Sequence, residues 1–440
     1  MKVLNIKRIL AVTFTLTLTA VMLKIATLAL NYRYNYNENG DVPYHFYKDN
    51  TEYDVLFIGT SRIGCALFPL QLWHEKGITS YNLAISAARI PSSYHIFKNA
   101  IQFHRPRIAI LDTTETASNS KISYQLDSLH YGLDIIPLSP TKYKSLKDLF
   151  PNQKQLTAYL IPFSLFHNRW KETSIDKTWD ALFHTPESVS KGAWFSYNVA
   201  APSIYPTTDL SLSANTIGMD YIRAFVSLCR EKNIKPILVT FPHPAPEYEQ
   251  MEENTVTILS KELAVDYYNL NKINLIDWNT DLNDPHSHVN MSGARKVTDY
   301  IGKLLVETYG LEDHRDTPNC TSWNNDWEAY KQKLFVIIRE KKNFNSALML
   351  CNNSVFTARL FIKDGVELDS VEQKLVAQLG NAITVEHVGA ADGTVSDTES
   401  TAPGEGIPDL HLEVYDSETG SLICQKQWDN LVTYTKNFKP

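Results

Sequence analysis

"DVLFIGTSRIGCALFP", residues 54–69, runs from an unbroken apolar stretch into a glycine, two hydroxyl side chains and an arginine before turning apolar again. An apolar run of this length closed by glycine reads as a strand buried on both faces, which is the habit of parallel sheets. Ser61 then falls on a tight strand-to-helix turn. A serine there projects its hydroxyl out of the sheet, and the unpaired amides of the following helix start can face an oxyanion. Thr and Ser are also preferred helix caps, so this segment alone admits a plain N-cap as readily as a nucleophile.

Working outward, the chain alternates. "SYNLAI" (80–85), "RIAILDTT" (107–114), "KPILVTFP" (235–242) and "VDYYNL" (265–270) repeat the strand pattern. Helical patterns lie between them over "LQLWHEKG", "SSYHIFKNAIQFH", "GMDYIRAFVSLCREKN" (218–233), "NTVTILSKELA" and "GARKVTDYIGKLLVETYG" (293–310). This rhythm predicts one α/β domain over 53–310 with a mostly parallel five-stranded sheet. Residues 116–215, rich in prolines and aromatics, break the rhythm and read as a large helical insertion. Beyond it, 311–345 predicts a connecting amphipathic helix. Residues 346–440 predict a smaller α/β domain with a strand over "SVFTARLFIKDG", a helix over "LDSVEQKLVAQLG" and a hairpin turning at Glu418, Thr419 and Gly420. The Gly-, Ser- and acid-rich segment 389–408 reads as a mobile loop.

The N-terminus bears on the compartment. Lys2, Lys7 and Arg8 precede Ile9 to Leu30, a stretch that as a helix spans about 33 Å, enough to cross a bilayer. Positive charge on the near side keeps that end cytoplasmic, and Lys24 is close enough to the outer end for its amine to snorkel to the interface. A cleaved signal peptide ending near Thr27 and Ala29 is the competing reading. The apolar stretch exceeds the roughly 7–15 residues of a signal core, which favours an uncleaved anchor over residues 1–30. Residues 31–52, polar and rich in Tyr and Asn, then read as a stalk, and the rest of the chain is expected outside the cytoplasmic membrane.

The composition is that of a globular protein, 43% hydrophobic with a formal charge of −7, which argues against nucleic acid as a partner. Five scattered cysteines form no CxxC pair, so zinc or thiol redox work is not expected. No His, Asp or Glu cluster has metal-ligand spacing, and no metal or cofactor is predicted.

A second segment, "DWNTDLNDPHSHVNMSGARKVTDYIG" (277–302), bears on the chemistry. It places Asp284 and His288 in a loop before the last helix of the domain, capped by Asn290 or Ser292. A serine becomes nucleophilic when a base takes its proton, and the base needs a carboxylate to fix its tautomer. His286 is the other candidate base. His288 is preferred because it lies nearer the helix start, with Val289 as an apolar plug, whereas His286 follows Pro285 in the exposed bend. A capped, solvated loop is the bland alternative. Arg62 reads either as an attractor for an anionic polymer or as the partner of a carboxylate. In the insertion, His167 and Arg169 beside Trp170 read as a packing cluster or as a lining of the substrate groove.

The pair "FIGTSR" and "DPHSHVNMSGA" resembles the first and last blocks of the SGNH/GDSL hydrolase superfamily, with "YNLAISAA" where that superfamily has its second block. The resemblance spans about 53–310. It implies an SGNH-type, flavodoxin-like three-layer fold with Ser61 as nucleophile, His288 as general base and Asp284 as its orienting acid. With the N-terminal anchor, the chain is similar to membrane-tethered extracytoplasmic members of Gram-positive bacteria, including the DltD-like proteins that serve D-alanylation of teichoic acids and SGNH domains that acylate envelope polysaccharides. An acyl esterase or O-acyltransferase acting on an envelope glycan or teichoic-acid-like polymer is the implied function, with a membrane-bound O-acyltransferase as an implied partner. The alternative is a catalytically weak or inactive SGNH module that binds polymer or scaffolds such a partner. The sequence departs from the pattern at four points. Thr60 stands where the superfamily has Asp, the second block offers Ser86, Ala87 and Ala88 without its glycine, and "LDTTET" offers Thr114 and Glu115 without the third block's Gly and Asn. The acid lies four residues before the histidine, not three.

Overall fold

The computed structural model describes residues 2–30, 45–48, 51–122, 126–161, 163, 167–171, 174–183, 189–317, 320–389 and 408–429. The apolar runs form strands β1 (Val55–Gly59), β2 (Ser80–Ala84), β3 (Ile108–Asp112), β4 (Lys235–Thr240) and β5 (Asp266–Asn269). β1 and β3 are buried along their whole length. The strands make one all-parallel sheet in the order β2-β1-β3-β4-β5, with Val55 registered against both Ser80 and Ile108. This is the flavodoxin-like order, in which the connections leave β1 and β3 toward opposite edges and a crevice opens between their carboxyl ends.

Helices cover the sheet from two sides. α4 (Ile90–Ala100) packs on β1 and β2 and against α9 (Ile217–Glu231), which covers β4. On the other side α2 (Ser61–Ala66) and α3 (Pro69–Lys76) pack against α11 (Met291–Glu307). α10 (Glu247–Glu262) starts seven residues before the predicted helix, because its first turns carry few apolar residues to mark them. Gly59 ends β1 hard against β3: a Cβ there would lie 2.3 Å from the Cβ of Asp112.

The insertion supplies α5 (Leu126–Leu133), α6 (Pro140–Leu149), α7 (Gln153–Leu160) and α8 (Ile175–Phe183). The N-terminal helix α1 (Lys2–Leu30) contains a stretch, Ile6–Thr27, long and apolar enough to cross a membrane. The predicted stalk is corrected at its near end. Phe46 is fully buried between Tyr53, Tyr81 and His104, and His104 Nε2 meets the Phe46 carbonyl at 2.6 Å, so Phe46 and Tyr47 belong to the core. Residues 31–44 lie outside the described residues.

The C-terminal unit is built on a mixed four-stranded sheet, β7-β6-β8-β9, of β6 (Phe356–Lys363), β7 (Ile383–Val388), β8 (Leu410–Asp416) and β9 (Leu422–Trp428). β8 and β9 form the predicted hairpin, and the predicted helix is α14 (Ser370–Leu379), closed by a capping box of Asp369 and Glu372. β7 and α13 (Phe344–Cys351) had no predicted counterpart. The segment read as a mobile loop, 389–408, falls almost wholly outside the described residues. α12 (Thr321–Glu340) is more than a connector: Trp323 packs on Trp73 at 5.4 Å and Tyr330 on Phe195 at 5.8 Å, which joins the two units in one continuous core.

Candidate active site

Ser61 is the first residue of α2, and Thr60 is its cap: the Thr60 hydroxyl oxygen accepts from the Arg62 amide at 3.2 Å. The cap of the opening stretch is therefore Thr60, which leaves the Ser61 hydroxyl uncommitted to the helix. The turn is gripped from β3. The fully buried Asp112 carboxylate accepts from the Thr60 amide (3.1 Å) and hydroxyl (2.5 Å) with one oxygen, and from the Thr114 amide (3.1 Å) and hydroxyl (2.7 Å) with the other. Four donors on one buried carboxylate are the condition under which such a charge is tolerated.

Opposite this turn, the loop after β5 returns as a small hairpin. Leu282 bridges to Val289, Asn283 N donates to the His288 carbonyl at 2.8 Å, and Asn290 N donates to the Asp281 carbonyl at 2.9 Å. Val289 is buried, which holds the loop by its apolar plug. Asn290 caps α11, accepting from Ser292 N and Gly293 N, and its amide group donates to the Thr280 carbonyl at 2.7 Å.

This geometry brings the three predicted residues together. His288 Nε2 lies 2.8 Å from Ser61 Oγ, and His288 Nδ1 lies 2.5 Å from Asp284 Oδ2. Because an ionised carboxylate only accepts, Nδ1 carries the proton and Nε2 is left to accept the serine proton. The other Asp284 oxygen accepts from the His286 and Ser287 amides at 3.0 and 2.7 Å. Burial pushes the Asp284 carboxyl up, but the hydrogen bond and charge of His288 and these two amides outweigh it and bring the carboxyl down to about 2. The four-residue spacing is absorbed by this turn, in which Pro285 and His286 bulge outward. His286 faces away: its Nδ1 meets Ser203 Oγ at 2.9 Å, outside the Ser61 constellation.

The remaining candidates divide. Ala87 has φ +50°, a left-handed conformation that an alanine holds at a cost of about 1–3 kcal/mol, and it follows β2 beside the Ser61 turn. Neither the Ser61 nor the Ala87 amide has a hydrogen-bond partner among the described residues. Thr114 is corrected: its amide and hydroxyl are both spent on Asp112. Arg62 takes the second of its two readings, buried against Glu249 at 2.7 Å and His243 at 3.0 Å. Burial raises the Glu249 carboxyl, yet the His243 hydrogen bond and the Arg62 charge hold it at about 2. His167 does not join the site: it sits on the turn His167–Lys171 beside α1, exposed, with its ring 6.3 Å from that of Phe163. The Arg169 side chain lies outside the described residues. Cys65, one turn after Ser61, is buried with its thiol pushed up to about 12, and accepts from Ser196 Oγ. Among the described residues no group of three His, Cys, Asp or Glu side chains is arranged to hold a metal.

Two further features shape the site. A cleft of about 630 Å³ opens at the carboxyl ends of β4 and β5, lined by Ser203, Tyr205, His243, Asn271 and Trp278 among others, and Ser203 ties it to the Asp284–His288 loop through the Pro285 carbonyl at 2.9 Å. The stem of that loop is held from the C-terminal unit. Gln378 Nε2 on α14 donates to Thr280 Oγ1 at 2.5 Å, and Asn352 Nδ2 donates to Ser292 Oγ at 2.7 Å. The Ser292 hydroxyl in turn donates to the fully buried Asp281 at 2.8 Å. Sequence reasoning missed Asp112, whose signal was a lone carboxylate closing a buried apolar strand. It also missed Gln378 and Asn352, for which no local signal exists.

The structure is thus an α/β fold with an all-parallel sheet in flavodoxin-like order, with Ser61, His288 and Asp284 hydrogen-bonded in series at the carboxyl ends of its strands. No protein-family model, no curated protein and no solved structure matches this chain.

Proposed function

We propose that the chain is a membrane-anchored, extracytoplasmic serine acyl esterase or O-acyltransferase of SGNH type that acts on a cell-envelope glycan or teichoic-acid-like polymer. One observation carries the catalytic part: the continuous relay from Ser61 Oγ through His288 to Asp284 at 2.8 and 2.5 Å. A serine serving only as a cap has no need of a base whose tautomer is fixed by a carboxylate. The envelope substrate and the side of the membrane rest on the sequence resemblance and on the N-terminal helix.

The mechanism follows from the groups present. Ser61 Oγ attacks the acyl carbonyl as its proton passes to His288 Nε2, and Asp284 stabilises the imidazolium. The oxyanion takes the free amides of Ser61 and Ala87, the left-handed alanine occupying the place of the superfamily's second-block glycine. Collapse expels the alcohol with the proton from His288 and leaves an acyl-serine. Water or a sugar hydroxyl, deprotonated by His288, then releases the acyl group. Asp112 takes up the anchoring of the nucleophile turn where Thr60 replaces the usual aspartate.

The polymer-binding or scaffolding alternative draws on Thr114, whose commitment to Asp112 removes a side-chain donor from the oxyanion site. Fluorophosphonate labelling separates the two. The full chain is expected to label on Ser61 between pH 6 and 9 and Ser61→Ala is expected not to; a folded wild-type chain that never labels supports the binding module.

A further inference from the structure

The insertion carries an apolar face that the relay does not use. Ile175, Trp179 and Phe183 follow one another at four-residue intervals along α8, which puts them on a single stripe, and they are 86, 62 and 66% exposed. Trp170, on the preceding turn, is 63% exposed, with Lys171 Nζ 5.6 Å from its ring centroid. Trp170 and Trp179 are the only exposed tryptophans among the described residues; the others are buried or half-buried. An exposed face of this kind marks an interaction surface.

The position of α1 says what covers it. Along most of its length α1 exposes its apolar side chains, Leu10, Phe14 and Leu16 among them, but Thr27 at its outer end is buried. The helix packs against α8 and the turn His167–Lys171. Lys24 stands at that same end of α1, three residues before Thr27. A lysine one turn from the end of a membrane span reaches for the interface, and whatever touches that end shares its depth. Tryptophan with lysine is the side-chain pairing enriched at that depth.

We infer that the insertion face formed by Trp170 and α8 rests in the headgroup region of the bilayer that α1 crosses, with Ile175, Trp179 and Phe183 directed into the upper acyl chains. The inference rests on the anchored reading of α1 and not on catalysis. It makes the insertion a second membrane contact, which holds the catalytic unit at a fixed height and orientation over the lipid surface.

The test uses the full chain reconstituted in phosphatidylcholine vesicles, with and without bromine on the upper acyl chain, and reads tryptophan fluorescence. The brominated lipid is expected to quench the wild-type chain, and the quenching is expected to fall at least threefold in the Trp170→Phe, Trp179→Phe double variant. Equal fractional quenching in the double variant overturns the inference. So does an unquenched wild-type chain that still resists alkaline carbonate extraction, in which case the anchor stands and the face belongs elsewhere; a dimeric mass then assigns it to a second copy. A chain that is both unquenched and released by carbonate overturns the anchor as well. Ser61 labelling is independent of all these outcomes.

Discussion

The two ends of the relay are held by different means. The Ser61 end is built from the sheet itself: Ser61 follows β1, Thr60 caps α2, and Asp112 on the adjacent strand accepts from both the amide and the hydroxyl of Thr60. Every one of these residues lies at a strand end whose position the parallel register dictates. The base end hangs on a loop. Asp284 and His288 stand on an eight-residue excursion between Asp281 and Asn290, stiffened by Val289 within and pinned at its flanks, Thr280 and Ser292, by Gln378 and Asn352 of another unit. The difference teaches that a buried sheet can fix a serine with short-range contacts, whereas a loop needs partners from distant sequence to hold a histidine within hydrogen-bond reach of it.

The comparison breaks first at the relay. Ser61→Ala is expected to abolish fluorophosphonate labelling and His288→Ala to slow it by about 10²–10⁴-fold, the range a general base contributes. His286→Ala should retain most of the rate. Equal losses at His286 and His288 in folded variants would mean that the loop presents a different base.

Next comes the anchoring of the nucleophile end. Asp112→Asn replaces a four-fold acceptor by a group that must aim its own donors at Thr60 or Thr114, and is expected to cost about 2–4 kcal/mol in urea unfolding. An unchanged midpoint would show that the turn does not depend on β3.

The base end answers to a remote change. Gln378→Ala in the full chain is expected to slow labelling about tenfold, since a small misplacement of a catalytic group is costly in rate, and to raise hydrogen exchange over 277–290. Arg359→Ala, which removes an ion pair with Glu386 on the other side of the same unit, should do neither. If both variants slow labelling alike, the C-terminal unit contributes only general stability.

The smallest expected effect sharpens the comparison through pH. Glu252 accepts from Ala117 N at 2.8 Å behind the β3 loop, and burial pushes its carboxyl up to about 7. The folded chain therefore holds a proton that the unfolded chain releases near 4.5. Stability from this group is present below about pH 4.5 and is lost as pH rises toward 7, so Glu252→Gln should flatten the decline of urea stability between pH 5 and 8. Asp284 has the opposite sign: with its carboxyl brought down to about 2, its contribution is present above about pH 4 and is lost as pH falls toward 2. A wild-type profile rising from pH 5 to 8 would contradict the Glu252 assignment.

The sequence by itself determined the five strands, their parallel rhythm and the hairpin at Glu418 to Gly420, and it brought Ser61, Asp284 and His288 forward as candidates. Uninterrupted apolar runs such as "VLFIG" and "IAILD" have one low-energy use, burial in a two-sided sheet, and Ser61, Asp284 and His288 sit at turns that glycine, proline and caps mark locally. Only the tertiary structure decided which polar groups meet. Asp112 is one residue among many acids until β3 lies beside β1, and "LDTTET" gives no sign that Thr114 turns inward to it. Arg62 was open between anion and carboxylate until Glu249 arrived from α10. The stripe on α8 is visible as spacing, but the contact of that helix with the end of α1 is not. Gln378 and Asn352 are about 90 and 64 residues from His288 in the chain, and neither has a nearest-neighbour pattern that signals a catalytic loop. Local burial and turn chemistry act over a few residues and can be read along the chain, whereas a hydrogen bond between distant side chains exists only once the packing of a whole core has set their positions.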